Sequence, residues 1–138
     1  MPIVKVNGAD VDVFQVGEGR DLVLLHSLLS DRGSFEAVVP SLVQSCHLTL
    51  VDLPGFGESS PVGPAVEDFA DRIAGLFAAL DLPRETDVLG NGFGGFIALA
   101  LAQRHGDLFE RLTLVDTGAA FPEAGKAAFH AMAEKVET

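Results

Sequence analysis

The sequence holds no tryptophan and no tyrosine, a single cysteine, and nine basic residues against twenty acidic ones. Each scarcity excludes something. One cysteine, Cys46, can form neither an intrachain disulfide nor a cysteine-rich metal site, and it reads as a small buried hydrophobe just before a strand. A formal net charge of −11 repels a phosphate backbone, so nucleic acid is not an expected partner. No apolar run approaches the roughly 18 residues of a membrane helix, so no membrane partner is expected either. Met1 to Asp10 carries one lysine and no apolar block, unlike a signal peptide, and a cytoplasmic location is the default expectation. The four histidines (His26, His47, His105 and His130) show no ligand spacing, so neither a metal nor another cofactor is expected.

What is present is a core. The 138 residues are 48% hydrophobic, about one domain's worth. Ile3 to Val6 and Val11 to Val16 read as strands joined by the hairpin signal Asn7-Gly8, with a loop of two residues or more. Leu22 to Leu25 is a continuous apolar run without alternation, the pattern of a strand buried on both faces; Leu48 to Val51 is the next apolar strand, Asp87 to Leu89 a short one, and Leu112 to Val115 another of the buried type. Between them lie helical periods. Ser34 is placed to cap a helix from Phe35 through Val43 that Pro40 kinks or restarts. Val66, Phe69, Ile73, Leu76, Phe77 and Leu80 share one face, and Phe93 to Gln103 is apolar nearly all round, so it should be central. Lys126 to Val136 reads as a last helix. Strands alternating with helices give an α/β fold: a mostly parallel, doubly wound sheet with an N-terminal antiparallel hairpin.

In such a sheet, ligands bind beyond the carboxyl ends of the strands. Four strand ends qualify: His26-Ser27-Leu28, Asp52-Leu53-Pro54-Gly55, Gly90-Asn91-Gly92 and Asp116-Thr117. The segments Leu24 to Leu29, Val51 to Ser59 and Val88 to Gly95, in this order and spacing, resemble the α/β-hydrolase superfamily from about Ile3 to Thr117. The resemblance implies an oxyanion loop after His26, a structural turn at Asp52 to Ser59 and a nucleophile elbow at Gly90 to Gly94. It assigns oxyanion donors to the backbone N–H groups of Leu28 and Phe93. Substrate contacts are expected from His26, Ser27, Asn91 and Phe121, with Phe93 and Phe121 lining an apolar pocket while Phe35, Phe69, Phe77, Phe96 and Phe109 pack the core. His26 buttresses the oxyanion loop in this reading and is not the base.

Two departures stand out. Gly92 occupies the nucleophile position, which excludes a covalent acyl-enzyme there. It is open whether this glycine is natural, engineered, or the mark of a non-catalytic relative. The family's last strands and terminal histidine are also missing, so the fold is expected to be incomplete. Asp116 is read first as a strand-end carboxylate accepting loop N–H bonds, and second as the family's acid. On this view residues 1–117 are the core and 118–138 begin a helical lid. Leu112 to Val115 becomes an uncovered edge that a complementing C-terminal half or a second copy of the chain would pair. The function implied is action on a small apolar ester, lactone or C–C-bonded carbonyl compound. A non-catalytic ligand-binding module is the alternative. Gly90, Gly92 and Gly95 also satisfy G-x-G-x-x-G after a strand, so a dinucleotide site is a third reading.

Overall fold

A computed structural model describes residues 3–27 and 35–115. Among them six strands form one sheet: β1 (Ile3–Val6), β2 (Ala9–Val16), β3 (Arg20–Leu25), β4 (Cys46–Val51), β5 (Asp87–Asn91) and β6 (Arg111–Val115), in the order β1-β2-β4-β3-β5-β6. β4, β3, β5 and β6 run parallel, and β1 and β2 add antiparallel at one side. The expected α/β class and its hairpin are therefore present. Asn7 and Gly8 both have positive φ, so the hairpin closes through two residues, the shortest of the expected loops.

Alternation along β3 explains its unbroken apolar run. Val23 and Leu25 enter one core with residues of α2 (Val66–Ala79) and α3 (Phe93–His105). Leu24, with Leu22 beside it, enters a second core on the opposite face with Phe35 and the short helix α1 (Val39–Leu42). Burial on both faces replaces the polar side of a solvent-facing strand.

Three expectations need correction. The first helix is a single turn, because Pro40 sits at its start, where a missing N–H costs nothing; Ser34 lies outside the described residues. β6 is not a fully buried strand. Among the described residues it ends the sheet, the edge position expected for it, and its residues alternate between exposed and half-buried. Cys46 is the first residue of β4 and only half-buried. α2 stops through a left-handed Asp81, with Leu82 N–H bonded to Phe77 O at 3.0 Å and Asp81 N–H to Ala78 O at 3.1 Å. The Lys126–Val136 helix lies outside the described residues, and no described helix is long and apolar enough to cross a membrane.

α2 is tied to the last turn of α3 by Asp71, which accepts two bonds from Arg104 (2.8 and 2.9 Å) and one from His105 (2.8 Å). The Arg104 fork, then His105, hold the Asp71 carboxyl down at about 2. A carboxyl lowered by folding contributes stability that is present above its unfolded value, near 4, and lost as pH falls through the folded one. The pair faces solvent, so the contribution is small. Asp71→Asn is expected to flatten the acid limb of stability between about pH 4 and about pH 2. Urea midpoints across that range would check this.

Candidate functional site

The strand order reverses direction at β3. The chain passes from β3 to β4 on one side, then crosses back to β5 on the other. Such a switch point opens a crevice at the carboxyl ends of the two diverging strands. Leu25 pairs with Gly90, so His26-Ser27 and Asn91-Gly92 leave the sheet side by side.

The β5–α3 junction is built for close approach. A Cβ on Gly90 would lie 2.5 Å from Gly94 O and 2.6 Å from Gly95 Cα. One on Gly94 would strike the carbonyl oxygens of Leu25 and His26, the latter at 2.6 Å. These glycines let α3 start directly against β3 and β5. Gly92 takes φ 57° and ψ −118°, a left-handed position that costs an L side chain strain. Its N–H donates to Val115 O at 2.9 Å, carrying the β5–β6 ladder one step past the strands. Its carbonyl accepts from Gly95 N–H at 2.9 Å. The Phe93 N–H follows in the first turn of α3, at the positive end of the helix dipole.

His26 is completely buried. Nδ1–H donates to Ser27 O and Nε2 accepts from Leu53 N–H, each at 2.9 Å, which fixes a neutral tautomer. Phe56 stands edge-on to its ring at 5.2 Å. With both nitrogens engaged, His26 braces the loop, in keeping with the expectation that it is not the base.

The turn after β4 is equally tied. Ser59 Oγ donates to Asp52 O at 2.6 Å and accepts Asp12 N–H at 2.9 Å. A Cβ on Gly57, which has φ 54°, would collide with the Asp52 carboxylate. The bonding role of Ser59 was not read from the sequence, although the serine that closes Asp52 to Ser59 was its only signal.

Not all expected residues gather. Phe93 is buried, and its ring meets Phe69 of α2 edge-on at 5.2 Å, so its side chain packs the core instead of lining a pocket. Only its backbone remains at the rim. Leu28, Asp116, Phe121 and His130 lie outside the described residues. His47 bonds Asp21 at 2.7 Å at the far end of the sheet, and His105 bonds Asp71. A cavity of about 320 Å³ between the hairpin turn and the start of α2 is lined by Asn7, Asp68 and Arg72, and by none of the four strand ends.

The model of the α/β hydrolase fold family matches residues 22–136. The pimeloyl-(acyl-carrier protein) methyl ester esterase of Aeromonas hydrophila is 37% identical over 111 residues, which are 80% of this chain and 43% of that protein. The 2-hydroxymuconate semialdehyde hydrolase of a Pseudomonas species is 32% identical over 122 residues, again 43% of its length. A thermophilic esterase structure from Thermogutta terrifontis superposes with a TM-score of 0.84 at 30% identity, covering 98% of this chain and 52% of that one. The chain thus spans less than half the length of the two curated relatives.

Proposed function

The chain belongs to the α/β-hydrolase fold family, and from that premise we propose that its strand rim acts on a small apolar ester, lactone or C–C-bonded carbonyl compound, with the nucleophile position vacant at Gly92. The observation that carries this reading is the left-handed Gly92 between β5 and the first turn of α3, at the switch point beside His26-Ser27. A carbonyl oxygen placed over that turn meets the positive end of α3, where the charge that develops on attack is stabilised. The donors are the N–H groups of Phe93 and Leu28. Asn91, Ser27 and Phe121 contact the substrate, and His26 holds the loop that does so. Gly92 has no side chain, so the attacking group is water. Asp116, directly after β6, is the acid available in this chain, and the base comes from a complementing half.

Residues 1–117 form the core in this reading and 118–138 begin a lid. β6 ends the described sheet with Val115 exposed, so a strand from a complementing half or a second copy is proposed to pair there.

The test uses the chain with a complementing C-terminal half added, p-nitrophenyl butyrate for turnover, and butyrate for binding, which is followed by NMR. Turnover without a serine at the elbow is the expected result and marks direct water attack. Butyrate binding without turnover selects the ligand-binding module instead. Neither binding nor turnover sinks both readings. Light scattering on the purified chain is expected to show self-association or, with the complementing half added, a complex; a clean monomer that binds neither removes the pairing.

A further inference from the structure

A Cβ built on Gly92 would lie 3.1 Å from the Cβ of Ser27 and 3.9 Å from its Cα. The first distance is tighter than ordinary packing and the second is normal contact. The atom in the way is a Cβ, which no change of rotamer can move. The backbone that carries it is also held. His26 bonds Ser27 O on one side and Leu53 N–H on the other, and α3 presses Gly94 against the carbonyls of Leu25 and His26. A side chain at position 92 therefore meets a wall that cannot retreat cheaply.

We propose that Ser27 and Gly92 are an exclusive pair: the crevice between β3 and β5 admits one side chain, Ser27 supplies it, and its hydroxyl is the side-chain group that meets a ligand's polar end over the first turn of α3. Ser27 is half-buried, and its Oγ is one bond from a Cβ that already lies against the elbow. The ligand contact rests on the function proposed above, whereas the steric exclusion does not.

The experiment is a thermal double-mutant cycle on the full chain, joined to a butyrate titration. Gly92→Ser is introduced with Ser27, Ser27→Ala or Ser27→Gly beside it. Alanine keeps the obstructing Cβ and removes the hydroxyl, and glycine removes both. Backbone strain at position 92 is common to all three and cancels. The Tm loss from Gly92→Ser is expected to be similar with serine or alanine at 27 and smaller by about 4 °C or more with glycine. Equal losses in all three would overturn the exclusion. Gly92→Ala, which adds only the Cβ, gives the same comparison should the serine variants not fold. Ser27→Ala alone is expected to keep Tm and weaken butyrate binding by about three- to tenfold, the worth of one hydrogen bond. Unchanged affinity would overturn the ligand contact. No binding by the unaltered chain would overturn that contact together with the proposed function, while the cycle would still decide the exclusion.

Discussion

Gly94→Ala is expected to cost about 3 kcal/mol or more, enough to unfold a domain of ordinary stability. The added methyl would strike two backbone oxygens, those of Leu25 and His26, which belong to the central strand and its exit. Neither can rotate away as a side chain would. Relief requires α3 to lift from the sheet, and that would unpack Ile97, Ala98 and Leu101, all in the main core. Alanine's better helix propensity returns at most about 1 kcal/mol. Gly106 at the other end of α3 is the control. It has an ordinary helical φ of −61°, and nothing lies within 4 Å of a Cβ there. Gly106→Ala should be neutral or slightly stabilising. Urea denaturation of the two variants separates close approach from propensity; similar midpoints would refute the packing argument.

His26→Leu is the second large effect. The substitution keeps apolar bulk but removes a donor and an acceptor in a fully buried place. Leu53 N–H loses its Nε2 partner and Ser27 O loses Nδ1–H. A buried group stripped of its partner costs about 1–3 kcal/mol, which falls in full on Leu53 N–H, while the half-buried Ser27 carbonyl loses less because water can replace its donor. The loss is not only thermodynamic, since His26 joins the loop after β3 to the turn after β4. Amide exchange at Leu53 should accelerate in the variant well beyond what the global stability change explains. Exchange that merely tracks global stability would show that the brace is not local.

The parts of the fold legible in the sequence were those fixed by local pattern. Asn7-Gly8 announces a hairpin because both residues tolerate positive φ. The face from Val66 to Leu80 announces α2 because one stripe must bury. The paired cores were legible in the unalternating run Leu22 to Leu25. What failed depended on neighbours distant in sequence. The apolar run Leu112 to Val115 looks like a strand buried on both faces; its place at the edge came from the resemblance and not from local pattern, and that edge leaves it half-exposed. Phe93 follows the elbow and so looked like a pocket wall. Phe69 of α2, 24 residues earlier, claims its ring.

The candidate site divides the same way. The glycines of the elbow and the histidine after β3 were readable as a set, since a sharp strand-to-helix turn has narrow chemical demands. The bonding of both His26 nitrogens was not, because one partner lies in another loop. Nor could the contact between Ser27 and the elbow be read. That a Cβ at position 92 would meet Ser27 at 3.1 Å is a fact of register between β3 and β5.

The hydrogen bond from Gly92 N–H to Val115 O places the elbow under the control of the last described strand. α3 is not, then, where the smallest self-sufficient version of this site ends. A chain cut after His105 would keep every glycine of the elbow and lose the acceptor that sets its height above the sheet. A chain that reaches Val115 keeps both. Anything that pairs along β6, the edge of the described sheet, would bear on the peptide unit that also holds Gly92.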